Sequence, residues 1–491
     1  MSYLFSSAET DYLSTSEQST KDIALTTFDN LKEGMIFPPT LVQRRFRVHR
    51  FNRKLYDGSA YENFYMSMRI NNELHKTPYK CIPLNYFRLV VNKLWSLLFC
   101  SKPLQVKTVD TKQEELDALI NKSNFFNAIH VAVKTCLLYG DSIIKVSKCE
   151  GKDALSVLTP LVAYKVVSKH DKQDIRGTVL FELLSKEEDK FSEVVERVEF
   201  IRILVVGKGY EYERVFRYSN GGKLGEPVDY WYKGRKIPKE GHKVKTGIED
   251  ASTCIWFSYN QDGDIYGESS FANIKQLVFA LQNRLSCENY VLDNNSKPYL
   301  MVGMSSLRTD ESTGSYYLKT IGDKYLVAHE GDTKPEYLEW NGHLTESANV
   351  RDALLDAFYS LSEISRSLVT GEFQGNVSEE TFNNTIKSSL DLAGRVVEGF
   401  RTSVLDVLYV LCKLHGLNDI KRESLTLLWD IGRSDDESTI SKIVETLSNN
   451  SILSRRTLLT RYFGYADKDV DAEFQKLAEE KDIFSENVKE G

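Results

Sequence analysis

The chain has 491 residues, a formal net charge of −7, and a composition that is 41% hydrophobic and 27% charged. This globular mixture excludes wholesale disorder and fits about two to four folding units. Because proteins that grip nucleic acid are usually basic, the charge also argues against tight, general DNA binding.

Cysteines and apolar runs narrow the class further. The seven cysteines include no C-x-x-C pair, so the sequence indicates neither a disulfide framework nor a zinc site, and a reducing compartment fits. No secretory signal is recognisable, and no run reaches the ~18 apolar residues of a membrane span. We therefore expect no membrane association.

A polar lead-in and a basic segment come first. Residues 1–22 contain thirteen Ser, Thr, Asp or Glu residues, which predicts a flexible segment over 1–40. Bases interleaved with aromatic residues follow within eleven positions: Arg44, Arg45, Arg47, Arg50, Arg53 and Lys54. This pattern is typical either of a patch for an anionic polymer or acidic partner, or of a solvated helix face whose aromatic residues pack inward.

Two helical stretches precede a β-rich module. Apolar residues approximate the helical period over 84–100 and 113–140. Residues 143–260 are instead rich in β-branched and aromatic segments, separated by turn signals such as Gly207-Lys208-Gly209. This predicts a mostly antiparallel sheet.

The helical period returns at 267 and dominates the rest of the chain. A narrow apolar seam predicts a first long helix over 267–296, and its members are Phe271, Ile274, Val278, Leu281 and Leu285. Short strands are expected over 297–345 and a second long helix over 346–369.

A loop containing glycine, over 370–378, separates the second helix from a third. The third helix is predicted over 379–413, with Gly394 and Gly399 indicating a bend or close packing. Short helices are expected over 436–491, ending in an acidic tail that is either a solvated helix or an interaction surface.

Catalytic motifs are largely absent, so we predict no catalytic residue, no metal and no cofactor. The sequence has no P-loop, no zincin helix and no nucleophile elbow. The best carboxylate cluster is Asp262, Asp264 and Glu268. It is typical either of a turn that enters a helix or of a hard-cation site in a metal-dependent nuclease or phosphotransferase.

The order of these elements, together with several short strings, resembles the portal (head-to-tail connector) proteins of tailed bacteriophages, particularly the siphophage type. The strings are RKLYDGSAYENFY, LNYFRLVVNKLWSLLFCSKPLQV, LLYGDSIIKV, GDIYGESSFANIKQL, LSEISRSL and RYFGYADKDVDAEFQKLAEE. They lie within about residues 40–482. The chain departs from the family pattern at Ser101, at Ser142 and directly after the glycine-containing loop.

The resemblance implies an α+β, portal-like subunit. Its parts would be a flexible N-terminal segment (1–40), an α/β wing (41–266), a first stem helix (267–296), a small β-rich clip (297–345), a second stem helix (346–369), a tunnel loop (370–378), a long bent tunnel helix with its return to the wing (379–435), and an α-helical crown with the C-terminal tail (436–491).

The resemblance also implies a non-enzymatic ring of about twelve subunits at one capsid vertex, assembled in the host cytoplasm and carried in the virion. Double-stranded DNA would pass through its channel transiently during packaging and ejection. The implied partners are the terminase large subunit, the major capsid and scaffolding proteins, and head-completion or adaptor proteins. A different phage head or adaptor protein is the second interpretation.

Three groups of site residues follow from the resemblance. The tunnel loop would contain Thr370, Gly371, Glu372, Phe373, Gln374, Gly375 and Asn376. Bases lining the DNA channel, unless they belong to a solvated helix face, would be Lys275, Arg284, Lys297 and Lys387. The apolar seam of the first stem helix would pack on the neighbouring subunit around the ring.

Overall fold

The structure is a computed structural model, and it falls into two units. One unit contains residues 1–99 and 103–431, and the other contains 100–102 and 432–491. The residues it describes are 31, 33–59, 65–70, 73–80, 82–99, 104–108, 112–148, 154–167, 175–185, 198–218, 222–261, 264–295, 300–303, 308–309, 316–317, 325–328, 336–337, 344–370, 379–429, 431, 470 and 474–475. Almost all of them belong to the first unit, and the predicted crown lies almost entirely outside them.

Helices and strands alternate along the first unit, which confirms the predicted α+β class. The helices are α1 Thr40–Asp57, α2 Tyr86–Phe99, α3 Gln113–Ser123, α4 Phe125–Tyr139, α5 Lys275–Asn295, α6 Leu344–Ser362, α7 Arg366–Thr370 and α8 Glu379–Leu414.

The strands before α5 are β1 Tyr65–Ile70, β2 Glu73–Lys80, β3 Gln105–Thr108, β4 Asp141–Val146, β5 Leu155–Leu158, β6 Ala163–Val167, β7 Ile175–Ser185, β8 Val198–Gly207, β9 Tyr210–Tyr218, β10 Leu224–Pro227, β11 Tyr230–Tyr232, β12 Arg235–Ile237, β13 His242–Lys245 and β14 Cys254–Ser258. The later strands are β15 Leu300–Gly303, β16 Arg308–Thr309, β17 Tyr316–Tyr317, β18 Tyr325–Ala328, β19 Glu336–Tyr337 and β20 Leu425–Leu428.

An antiparallel sheet forms the centre of the β-rich region, as the sequence predicted. Its strands follow the order β10-β9-β8-β7-β6, and β13 pairs with the first half of β9. Three smaller strands, β14, β4 and β5, form a second antiparallel sheet. Between α5 and α6 the short strands are present as predicted, with β15 pairing parallel to β18 and antiparallel to β19.

The two faces of the large sheet pack on different partners, because side chains alternate along a strand. Ile201, Ile203 and Phe216 lie in one apolar cluster with Phe37 and Val42, close to the start of α1. The opposite face contributes to a second apolar cluster, which joins the large sheet to the small one and contains Ile143, Ala163, Leu180, Leu204, Val206, Cys254 and Trp256.

The long helices differ from prediction at their ends. Helix α5 begins at Lys275 rather than 267, because residues 271–274 form turns. The second predicted helix is broken after Ser362, where Glu363 has a left-handed φ of 54°. By contrast, α8 runs without interruption for 36 residues.

The two glycines inside α8 have different surroundings. A Cβ at Gly394 would lie 3.4 Å from Cδ1 of Ile431, so the predicted close packing is found there. A Cβ at Gly399 would meet nothing within 4 Å.

Two further glycines, Gly140 and Gly267, pack backbone against backbone where α4 ends. Gly140 has a left-handed φ of 98°. A Cβ on either residue would lie within 3.0 Å of the other's carbonyl group, and a Cβ on Gly267 would also crowd the backbone of Tyr259. Hydrogen bonds from Tyr259 N to Gly140 O and from Glu268 N to Tyr259 O, both 2.9 Å, hold this approach. Only glycine fits at these two positions.

We therefore expect Gly140→Ala and Gly267→Ala each to lower the free energy of unfolding by at least about 2 kcal/mol, because rigid backbone must move to admit the methyl group. Gly399→Ala is the matched control and should be neutral or stabilising by up to about 1 kcal/mol. Urea unfolding followed by tryptophan fluorescence measures the three changes. Equal effects at all three sites would contradict the close approach.

Candidate functional site

A fully buried carboxylate, Asp141, is the centre of the most densely connected polar site. Arg45 of α1 forms an ion pair with it, and the Nζ of Lys165 on β6 lies 3.3 Å from its Oδ1. The Ser258 hydroxyl donates to the same oxygen at 2.7 Å, and the backbone N–H of Gly267 lies 3.2 Å from Oδ2. A buried charge is tolerated only with such partners.

Aromatic rings enclose the two cations of this site. The guanidinium carbon of Arg45 lies 3.2 Å from the ring centre of Tyr266. The Nζ of Lys165 lies 4.9 Å from the ring of Trp256 and 5.1 Å from that of Tyr266, and it donates to the carbonyl of Ile265 at 2.7 Å. Cation–π contacts of this kind gain strength where water is excluded.

Burial and charge set the ionisation of the site. Burial alone would raise the pKa of Asp141, but the charges of Arg45 and Lys165 outweigh it and hold that pKa below its ordinary value. Burial, and then the neighbouring Arg45, lowers the pKa of His49 well below its ordinary value. His49 is therefore neutral at pH 7, and its Nε2 accepts a hydrogen bond from Nε of Arg45 at 2.8 Å.

The site joins distant parts of the chain at the base of α5. We name it the charged junction and define it by Arg45, Asp141, Lys165, Ser258 and Gly267. These residues come from α1, β4, β6, the end of β14 and the segment that leads into α5. The junction fixes that segment against both sheets and so orients α5.

Sequence reasoning missed this site. No sequence pattern gave Asp141 a role, and the basic segment was predicted only as a surface patch or a solvated helix face. The available signal was an aspartate at the first position of an apolar strand, because a carboxylate there must find a cation inside the fold.

The basic segment is a helix, α1, whose residues divide between interior and surface. Arg45 and Phe46 are buried, whereas Arg47, Arg50 and Lys54 are exposed. Phe46 therefore packs inward, as expected for a solvated helix face with inward aromatic residues. Arg45 is also buried, because it belongs to the charged junction.

A second polar cluster joins α5 to α6 through Glu288. Its carboxylate lies 3.6 Å from Nε of Arg284 on the same helix and 3.3 Å from Nη1 of Arg351 on α6. The hydroxyl of Ser347 donates to Glu288 at 2.5 Å. In the sequence Glu288 stands where the apolar seam would continue after Leu285. The structure shows that this glutamate connects the two helices.

The apolar seam packs differently from expectation. Phe271, Ile274, Val278 and Leu281 are each fully buried within the single chain, and Leu285 is half-buried. The first three belong to the largest apolar cluster of the chain's own core. A fully buried side chain has no surface to offer a neighbouring subunit. The prediction that these four residues pack on the neighbouring subunit is therefore replaced by packing within the chain's own core.

Two of the expected channel bases are already engaged. Lys275 is half-buried, and its Nζ lies 5.7 Å from the ring of Phe271. Its charge also adds to burial in lowering the pKa of His49. Arg284 lies beside Glu288 in the cluster between α5 and α6. Neither side chain is an isolated base.

The remaining expected site residues are only partly described. Lys387 is exposed on α8, whereas Lys297 lies outside the described residues. Thr370 is the last residue of α7, and its hydroxyl donates to the carbonyl of Arg366 at 3.2 Å. The rest of the predicted tunnel loop, 371–376, also lies outside them.

The break between α6 and α7 is held by α8. The Ser389 hydroxyl accepts the Ser365 N–H at 2.8 Å and donates to the Glu363 carbonyl at 3.1 Å. Arg395 forms an ion pair with the Glu363 carboxylate. These contacts replace the backbone hydrogen bonds that a continuous helix would have made.

An open cavity of ≈ 300 Å³ lies beside this break. Its polar lining includes Glu268, Ser269 and the Glu363–Arg395 pair. Asp264 uses its carboxylate to accept the backbone N–H of Ile265 at 2.8 Å. Asp262 lies outside the described residues, and those that are described contain no group of three side chains able to hold a metal ion.

The profile of a family described as "Phage portal protein, SPP1 Gp6-like" matches residues 43–484, nearly the whole chain. No curated protein matches the sequence significantly. A solved structure described as "Neck of native GTA particle computed with C12 symmetry" is 14% identical, with a TM-score of 0.35, over 76% of this chain and 88% of that chain. So low a TM-score is no basis for a shared fold.

Replacing the central carboxylate tests the charged junction. Asp141→Asn leaves two buried cations without a counter-charge and should lower the free energy of unfolding by about 3–5 kcal/mol. The control is Asp57→Asn, which removes the exposed Arg53–Asp57 pair of α1 and should cost less than about 1 kcal/mol. Comparable losses in urea unfolding would contradict the assignment.

The same variant should respond to pH in a defined direction. A carboxylate whose folded pKa is depressed stabilises the fold above its unfolded pKa of about 3.9, and this contribution is lost as the pH falls through the folded pKa. The stability difference between wild type and Asp141→Asn should therefore be constant near neutral pH and shrink below about pH 4. A difference that grows on acidification would contradict the depressed pKa.

Proposed function

The chain belongs to the SPP1 Gp6-like phage portal family, and from this premise we propose that it forms the ring through which DNA enters the capsid during packaging and leaves it during ejection. The match over residues 43–484 carries the proposal. The ring would contain about twelve copies at one vertex of the virion. Terminase, the capsid and scaffolding proteins, and head-completion proteins would dock on it.

We propose a correspondence between the parts of the portal subunit and the described elements. The two sheets with α1–α4 would form the wing, α5 and α6 the stem, and β15–β19 the clip. Helix α8 would be the tunnel helix and would return to the wing through β20, which pairs with β3. The charged junction would then fix the angle between wing and stem.

A passive conduit agrees with the chemistry of the chain. Portal proteins are a structural family, and the sequence contains no P-loop, so the energy for DNA movement would come from the terminase partner. We propose that the protein itself has no enzymatic activity.

Among the helices that the structure describes, none has the length and apolar character of a membrane span.

Net charge supports smooth DNA movement. At −7 per chain, roughly twelve copies carry about −80. Strong phosphate binding would release counterions and hold the duplex in place, which opposes transport. A mostly repulsive channel would instead let DNA slide.

Contacts between subunits need apolar surface that the fold leaves exposed. Three such residues lie on the proposed stem helices: Leu292 of α5 is 47% exposed, and Val350 and Leu361 of α6 are 48% and 50% exposed. Val350 and Leu361 are eleven residues apart, about three helical turns, so they lie on the same face. We propose that these residues, rather than the buried seam, contact the neighbouring subunit.

Negative-stain electron microscopy of the purified protein tests the ring directly. Rings with a central hole are expected, and mass photometry should give the subunit number. A monodisperse monomer at high concentration, with no rings even when capsid partners are added, would overturn the proposal.

A charge placed on the exposed stem face should block assembly without unfolding the subunit. We expect Val350→Glu combined with Leu361→Glu to shift the mass distribution from rings to monomers, while the circular dichroism spectrum stays unchanged. Leu183→Glu is the matched control, because Leu183 is 51% exposed on β7 of the wing. Rings that form equally well in both variants would exclude this face as the contact.

A further inference from the structure

Strand β9 separates its acidic and basic side chains onto opposite faces of the large sheet. Its sequence, YEYERVFRY, alternates strictly at the start, so Glu211 and Glu213 point to one face and Tyr210, Tyr212 and Arg214 to the other. Two surfaces of opposite character therefore lie on the two sides of one strand.

The glutamate face is neutralised within the fold. Glu211 lies 3.2 Å from Nζ of Lys145 on β4. Glu213, whose side chain is only 4% exposed, lies 2.7 Å from Arg202 on β8 and also pairs with Arg235 on β12. These acids hold the neighbouring strands in place and leave little negative charge at the surface.

Lysines of β13 extend the opposite face. In the antiparallel register Lys243 pairs with Tyr212 and Lys245 with Tyr210, which puts both lysines on the tyrosine side. Both lysines are exposed, and Tyr210 is 37% exposed. The Nζ of Lys243 lies 5.0 Å from the ring centre of Tyr210.

The cations of this face have no carboxylate partner in the part of the chain that the structure describes. Among the residues that the structure describes, Lys243, Lys245 and Arg214 take part in no ion pair. Arg214 is instead held in position through its Nε, which donates to the carbonyl of Lys239 at 2.7 Å. Their charge is therefore available to an anion from outside.

We propose that this β9–β13 surface, defined by Tyr210, Arg214, Lys243 and Lys245, binds the phosphate backbone of nucleic acid outside the channel. Unpaired cations interleaved with aromatic rings on a strand pair are typical of such surfaces. On a chain whose net charge is −7, a local positive surface is also where an approaching polyanion is directed.

Spacing and composition favour nucleic acid over an acidic protein. Lys243 and Lys245 are two strand positions apart, about 6.7 Å, which is close to the ~6.8 Å that two nucleotides of one DNA strand rise along the helix axis. The centres of protein interfaces are depleted in lysine, whereas phosphate contacts are made largely by lysine and arginine. Tyr210 can add stacking to an unpaired base or contact with a sugar.

Fluorescence anisotropy with the full-length chain tests this surface. The probes are a short labelled DNA duplex and the corresponding single strand, titrated at several salt concentrations, with poly-L-glutamate as competitor. The variant is Lys243→Glu combined with Lys245→Glu. The control is Lys107→Glu combined with Lys421→Glu, which makes the same charge change at two exposed lysines elsewhere in the same unit.

We expect the wild type to bind both probes and the β13 variant to bind the duplex at least about tenfold more weakly, with a salt slope smaller by about 2. The control should change affinity less than about twofold. Three results would overturn the proposal. The wild type could fail to bind DNA, or the β13 variant and the control could lose affinity equally. Poly-L-glutamate could also displace the labelled DNA at a lower concentration of charged groups than unlabelled DNA does. The assay needs no ring, so a failure of ring assembly, monitored by mass photometry, would leave this result standing.

Discussion

A carboxylate removed from water must be surrounded by cations and N–H donors, and this requirement at Asp141 organises the described fold. Its partners Arg45 and Lys165 come from a helix and a strand that are far apart in sequence, and the Gly267 N–H comes from the segment before α5. Each partner can reach Asp141 only if its own element is correctly placed. The charged junction therefore makes the sheets, α1 and the start of α5 depend on one another.

Helices α5 and α6 rely on a second, smaller version of the same principle. Glu288 takes cations from both helices, while the apolar seam below it is buried in the chain's own core. The core of the single chain therefore already contains the seam. In the proposed ring, lateral contacts would fall to exposed residues such as Val350.

Charge is distributed unevenly over the chain. The chain is negative overall, which in the proposed conduit would favour release over retention of DNA. Strand alternation nevertheless concentrates positive charge at Lys243 and Lys245, which form no ion pair with any described residue, because the adjoining glutamates are neutralised on the other face. In the proposed ring, repulsion along the channel and attraction at the β9–β13 surface would coexist in one subunit.

Elements whose signal is local could be predicted from the amino-acid sequence alone. Periodicity predicted α8 at 379–413 against an observed Glu379–Leu414, and β-branched alternation predicted the antiparallel sheet, because both patterns are carried by consecutive residues. The cover of the apolar seam, the cations that meet Asp141 and the break of the second helix at Glu363 became visible only in the folded chain. These outcomes depend on groups remote in sequence, such as Ser389 and Arg395 for Glu363, and periodicity carries no information about such partners.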